Sequence, residues 1–291
     1  MKSGETLSNA IISFPLLGLT LNPTRYFEIF GFKIYWYGVI IAAGFLLAAI
    51  YCFRRSKDFD VTDDNFLEML ICAVPAAIIC GRLYFVIFYD SGGDPNPYFQ
   101  DPSQIFRIRD GGIAIYGAVI GAVLAAFIYA KIRKRAKFTN LVDLSALGLL
   151  VGQAIGRWGN YVNREVFGYE TTVPWRMGLT VGDTTIYVHP TFLYESLWNV
   201  AGFLLLHFYF RNGRRKYSGQ VFLAYLGWYG LGRFFIEGIR TDSLLIGGLP
   251  VSQLLAAFCV VGAVLIHLIM RRRIRNGAQE KASGTDETEA K

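Results

Sequence analysis

The stretch Gly152–Gly168, GQAIGRWGNYVNREVFG, begins as the end of an apolar run and turns polar without a break. Arg157, Asn160, Asn163, Arg164 and Glu165 follow within a few residues, punctuated by Gly156, Gly159 and Gly168. A guanidinium within an apolar run is expensive to bury and marks a functional candidate. Arg157 and Asn160 stand three apart and share a face on a helix. That face could hold an anion, because arginine presents a rigid fork of donors matched to phosphate. The glycines let a backbone or a ligand come close.

Other apolar runs carry isolated polar residues. Tyr229, Arg233 and Glu237 are spaced four apart, form one helical stripe, and predict an Arg233–Glu237 pair that lowers the cost of burying either. Arg82 reads either as a site residue or as an anchor for backbone carbonyls. Tyr37 lies in an aromatic cluster, KIYWYG, of the kind found at membrane surfaces. The segment Gly111–Gly121, GGIAIYGAVIG, suits a close-packing small-residue face. Cys52, Cys72, Cys80 and Cys259 all sit in apolar runs and read as small core residues. His189, His207 and His267 are scattered, so no metal site and no cofactor is expected.

The elements that must position these residues are long and apolar. Of 291 residues, 53% are hydrophobic and 15% aromatic, and the mean hydropathy is +0.36. These values predict an all-α polytopic membrane protein rather than a water-soluble domain. The net charge of +7 is distributed in short clusters between apolar runs, which is a membrane-topology pattern; no nucleic-acid partner is expected. About seven spans are predicted: roughly Trp36–Phe53, Phe66–Tyr89, Ile113–Tyr129, Leu141–Trp158, Pro190–Phe210, Gly219–Gly238 and Val251–Met270. Basic clusters follow the first, third, fifth and seventh, which places the N-terminus outside and the C-terminus in the cytoplasm. The segment Ile11–Leu21 is too short to span and is interrupted by Pro15, so it is expected to be interfacial or re-entrant. A small irregular or β-hairpin cap is expected on the outer side around residues 159–189, within one membrane domain covering 1–275. The polar tail 276–291 is expected to be disordered, and no cleavable signal peptide is expected at the N-terminus. With this orientation Arg82, Arg157, Arg233 and Glu237 fall in the outer half of the bilayer, as do Tyr37, Tyr116, His189, Tyr194 and Glu195. A site opening to the outer leaflet accounts for that bias better than a pore crossing the whole membrane.

The chain also resembles the bacterial prolipoprotein diacylglyceryl transferase family. Gly156, Arg157, Gly159, Asn160, Asn163, Glu165 and Gly168 match its signature, roughly GRxGNxxNxExxG. Further similar segments are Tyr35-Trp36-Tyr37-Gly38, Gly81-Arg82 with Phe88-Tyr89, Asp110-Gly111-Gly112, His189-Pro190-Thr191 with Leu193-Tyr194-Glu195, and Tyr229-Gly230 through Arg233 and Glu237, with Arg240 and Asp242 just beyond. The resemblance implies transfer of a diacylglyceryl group from phosphatidylglycerol to the lipobox cysteine of a prolipoprotein in the bacterial cytoplasmic membrane, with glycerol phosphate leaving and a thioether forming. It implies that Arg157 binds the lipid phosphate and that Arg233 stabilises the leaving group or holds a second lipid. Asn160, Asn163, Gly168 and Glu165 would bind or orient the headgroup, and Arg82, Tyr37, Tyr229, Glu237 and His189 would line the site. Some relatives carry a histidine, read as a possible base, where this chain has Tyr116. An ordinary tyrosine near pKa 10 is a poor base. Proton removal therefore falls to Tyr116 in an arginine field, to Glu165 or His189, or to the effect of arginine charge on the thiol itself. Two other readings use the same intramembrane arginines: an anionic-lipid transporter or scramblase, and an inactive lipid-binding relative.

Overall fold

The computed structural model describes residues 7, 9–89, 96–108, 111–211, 213–241, 245–247 and 249–289. Asp110 and Asp242, both named above, lie outside the described residues. Seven long helices occur among the described residues: α1 (Trp36–Arg55), α2 (Asp63–Ile87), α3 (Ile115–Arg133), α4 (Phe138–Asn163), α5 (Thr191–Phe210), α6 (Gln220–Glu237) and α7 (Val251–Glu289). Five of these, α1 to α4 and α7, are long and apolar enough to cross a membrane. The other two, α5 and α6, have the length but carry Glu195, Asn199, Arg233 and Glu237, which lower their mean hydropathy. Leu46, Leu47, Ile71, Ile79, Val119 and Phe258 are exposed on the apolar helices, whereas Arg82, Glu195 and Glu237 are buried. Water would not tolerate that arrangement, and hydrocarbon requires it. It is the surface of a multi-pass membrane protein.

The chain forms two compact units, Met1–Cys52 with Ser145–Lys291, and Phe53–Leu144. In the second, α2 and α3 pack through glycine. A Cβ on Gly81 would lie 2.7 Å from Ile113, and one on Gly121 2.5 Å from the Ala76 carbonyl. Such close approach is how apolar helices associate when lipid offers no hydrophobic contrast. Thr62 caps α2 by accepting a hydrogen bond from the Asn65 N–H.

The first unit carries a small β-cap, as expected beside the helices, and it holds more strands than one hairpin. Strands β1 (Ile11–Phe14), β2 (Leu19–Leu21), β5 (Met177–Val181) and β6 (Thr184–Val188) form an antiparallel sheet in the order β2-β1-β5-β6. The β5–β6 hairpin falls where the polar excursion after Gly168 suggested one. The segment Ile11–Leu21 is not re-entrant. Pro15 opens a tight turn that Gly18 closes at φ +61°, and alternation along β1 buries Ile12 completely. Ile12, Leu179 and Val188 form the core of the cap, with Phe192 from α5. A second hairpin, β3 (Tyr26–Ile29) with β4 (Phe32–Tyr35), runs directly into α1, and β7 (Leu245–Ile246) with β8 (Leu249–Pro250) leads into α7. Helical backbone in α7 continues through residues 276–289, a stretch whose polar composition had pointed to disorder.

Candidate active site

The end of α4 is set by an uncommon cap. Arg164 adopts φ +55°, its N–H donates to the Tyr161 carbonyl, and the Glu165 N–H donates to the Asn160 carbonyl. That is the hydrogen-bond pattern of a Schellman cap, with arginine where glycine is usual. The left-handed conformation costs roughly 1–2 kcal/mol for a non-glycine residue. Arg164 offsets it with four bonds: Nε to the Ala10 carbonyl, Nη1 to the Val162 carbonyl, and Nη2 to Asn22 Oδ1 and the Pro23 carbonyl. Val166 is also left-handed at φ +58°, an outlier for a β-branched residue, and its carbonyl accepts from Thr191 Oγ1. The cap folds Glu165 back over the last turn of α4. There Glu165 Oε1 accepts from Asn160 Nδ2 at 2.9 Å and from Asn163 Nδ2 at 3.3 Å.

One turn earlier on α4, Arg157 Nη2 meets Glu195 Oε2 of α5 at 2.6 Å, and Arg157 Nη1 donates to Asn160 Oδ1 at 3.4 Å. From α6, Arg233 Nη1 lies 3.4 Å from Glu195 Oε1, and Arg233 Nη2 lies 2.6 Å from Glu237 Oε2. Arg240, just past α6, reaches both carboxylates, Glu195 at 3.5 Å and Glu237 at 3.7 Å. Among the described residues the result is a cluster of three arginines and two glutamates. The carboxylates form its inner layer, at 6% and 2% side-chain exposure, while Arg157 and Arg233 keep 22% and 16%. The guanidiniums therefore hold the accessible edge. The bonds described for Arg157 and Arg233 engage two N–H groups on each, out of the five a guanidinium offers.

Close helix packing fixes these positions. Gly44 and Gly148 press against the facing helix in the α1–α4 contact, and a Cβ on Gly159 would sit 2.7 Å from the Tyr37 ring. Ser196 Oγ donates to the Ala154 carbonyl, tying α5 to α4 one residue from Glu195. Trp198 and Trp228 stack at 4.4 Å, and each indole N–H donates to the other's carbonyl at 2.9 Å. The two indoles cover Gly202 and Gly232, where no other side chain fits. This α5–α6 brace was not foreseen from sequence.

The remaining candidates fall elsewhere. Tyr229 is on α6 four residues before Arg233, with its ring 5.9 Å from that of Tyr225. Gly168 is a close-packing residue: it bridges to Arg240 in the backbone, and a Cβ there would meet the Ile239 carbonyl at 2.7 Å. His189 belongs to the cap. Its carbonyl accepts from the Gly168 N–H, and its Nδ1 lies 3.1 Å from Tyr194 Oη. Arg82, in the second unit, donates to the carbonyls of Gln104, Ile105, Gly111 and Gly112 at 2.7–3.0 Å, below the ring of Tyr98 at 5.1 Å. Tyr116 is in the same unit, in the first turn of α3, with its ring 6.4 Å from that of Tyr84. The sequence reading gave no role of their own to Glu195 and Arg240, which are central to the cluster. The signal for Glu195 was its place four residues into an apolar helix, where a lone carboxylate needs a cation. No group of metal-ligating side chains occurs among the described residues.

Fold and cluster together define a multi-pass membrane protein with a charged arginine–glutamate cluster among its helices. Comparison with known proteins narrows this class. Residues 24–269 match the model of the prolipoprotein diacylglyceryl transferase family. A phosphatidylglycerol–prolipoprotein diacylglyceryl transferase of Clostridioides difficile (strain 630) is 41% identical over 255 residues, covering 88% of this chain and 98% of the relative. The similarly named proteins of Bacillus cereus (strain 03BB102) and Bacillus mycoides (strain KBAB4) are 43% and 44% identical over 251 residues, 84% of this chain and 90% of each relative. The chain belongs to the prolipoprotein diacylglyceryl transferase family.

Proposed function

We propose that this protein transfers the diacylglyceryl group of phosphatidylglycerol to the lipobox cysteine of a prolipoprotein, and that the Arg157–Arg233 edge of the cluster binds the lipid phosphate. The observation that carries this reading is the accessible edge of the cluster: the Arg157 and Arg233 side chains keep 22% and 16% exposure over carboxylates at 6% and 2%, and fixed guanidinium donors of that kind match a phosphodiester. In the reaction the cysteine sulfur forms a bond to the glyceryl carbon as the bond from that carbon to the phosphate oxygen breaks. The bonding pair leaves with glycerol phosphate. The leaving group is a monoester, whose charge approaches −2 at neutral pH, so negative charge grows where the guanidiniums are already fixed. Preorganised charge of that kind favours the transition state over the ground state.

The thiol proton must also leave, since a free cysteine near pKa 8.5 is mostly protonated at neutral pH. Glu165 is the acceptor that the geometry favours. It is exposed, its Oε1 is held by two amides, and Asn160 links it to Arg157. Arg157 and Arg233 lower the thiol's pKa toward that of the acceptor. Tyr37, packed on Gly159, and Tyr229 support the positions of Arg157 and Arg233. Gly168 and His189 act as positioning residues through their backbone bonds, and Arg82 fastens the carbonyls of its own unit.

All seven long helices span the bilayer in this reading, with α5 and α6 shielded by pairing their charges. The N-terminus and β-cap lie outside the bacterial cytoplasmic membrane and the C-terminus inside, because basic clusters follow α1, α3 and α5 and lie on α7. Purified protein in detergent micelles should convert a lipobox peptide in the presence of phosphatidylglycerol, with release of glycerol phosphate. Lipid binding without conversion would refute the transferase reading.

A further inference from the structure

A cavity has Arg164 in its wall. Asn9, Asn22, Thr24, Arg25, Tyr26 and Arg164, with Pro23, line a cavity of about 420 Å³ in the first unit. Small-molecule sites occupy roughly 300–1,000 Å³. The lining has two arginines and no acid. Its chemistry differs from that of the cluster around Glu195, where every guanidinium meets a carboxylate. Arg164 is already well bonded, but Arg25 is not: its Nε is buried without a hydrogen-bond partner. An unsatisfied buried donor is destabilising by about 1–3 kcal/mol, and more when charged, so a native site that keeps one is waiting for an acceptor. Burial, and secondarily the like charge of Arg25, press Arg164 below its ordinary pKa. An anion between the two would relieve both effects. The Arg25 guanidinium, two side-chain amides and two hydroxyls suit a phosphate that also carries a glycerol.

We propose that this cavity is a second phosphate site, which takes a glycerol-phosphate group either from a phosphatidylglycerol headgroup or from released glycerol phosphate. Arg164 forms part of its wall, and Arg164 lies between Asn163 and Glu165 in the chain. The site is therefore one peptide bond from the proposed proton acceptor. A donor waiting to react, or a product on its way out, would be held within reach of the cluster but outside it. The inference uses the transferase reading only to choose glycerol phosphate as the probe.

The test measures binding of labelled glycerol phosphate to the full chain in phosphatidylcholine nanodiscs, and counts phosphatidylglycerol molecules retained after delipidation by native mass spectrometry. Wild type, Arg25→Gln, Asn9→Asp and Arg157→Gln are compared. Asn9 is exposed, so Asn9→Asp adds a repelling charge without disturbing the core. The expected result is at least tenfold weaker binding of one phosphate species in both Arg25→Gln and Asn9→Asp, with that species retained in Arg157→Gln. Loss of the soluble ligand identifies a product site, and loss of one retained lipid identifies a headgroup site. Unchanged binding of both probes in Arg25→Gln and Asn9→Asp overturns the proposal. So does loss confined to Arg157→Gln, which would place all phosphate binding at the cluster. Neither overturning result touches the transfer reaction itself, which conversion of a lipobox peptide reads separately.

Discussion

Two arginines within apolar helices, Arg82 and Arg157, look alike in sequence and differ in what surrounds them. Arg82 meets four backbone carbonyls of its own unit and an aromatic face. Its partners are neutral and local, and the loop they belong to is held over α2. Arg157 meets a carboxylate that two further arginines also share. Its charged partner, Glu195, comes from another helix, and Asn160 of its own helix is the second partner. A guanidinium surrounded by carbonyls is a fastener. A guanidinium at the accessible edge of a charged cluster is the one proposed above to bind phosphate. The difference lies in the partners and not in the residue type.

The difference can be broken experimentally. Arg157→Ala or Arg233→Ala should each lower lipobox-peptide conversion by about 10³-fold, the upper range for removing one preorganised donor, with helical content unchanged by circular dichroism. Glu165→Gln should lower conversion by about 10²-fold, as expected for loss of a general base, while Tyr116→Phe should stay within a few-fold of wild type. The reverse order would move proton removal to Tyr116. Arg82→Met should show the opposite pattern to Arg157→Ala. Each charged hydrogen bond contributes about 1.5–3 kcal/mol, so its melting midpoint in detergent should fall by several degrees, while conversion per folded molecule stays near wild type. The smallest effect is expected from Gly159→Ala, whose Cβ would sit 2.7 Å from the Tyr37 ring and push it aside. A few-fold loss of conversion with normal stability would place Tyr37 at the site.

Much of this was legible in the sequence because it follows from local periodicity. The four-residue spacing of Arg233 and Glu237 predicted their 2.6 Å pair. The turn-rich composition around Gly182 predicted the β5–β6 hairpin. The small-residue run Gly111–Gly121 predicted a close-packing face, and Gly117 and Gly121 of α3 meet α2 closely. What was not legible depends on contacts between distant parts of the chain. Strand β1 looks like a broken apolar segment until β5, more than 160 residues later, is paired with it. Arg240 stands three residues after Glu237 and continues its spacing, but its link to Glu195 on another helix needed three dimensions. The two roles of arginine were indistinguishable for the same reason, since hydrogen-bond partners 20 to 30 residues away leave no pattern around Arg82.

The most direct measurement counts the phosphatidylglycerol retained by purified wild type, Arg157→Gln and Arg82→Gln under native mass spectrometry. Arg157→Gln should lose one lipid and Arg82→Gln none. An Arg157→Gln protein that keeps the full wild-type complement of lipid would contradict the assignment of phosphate binding to the arginine–glutamate cluster.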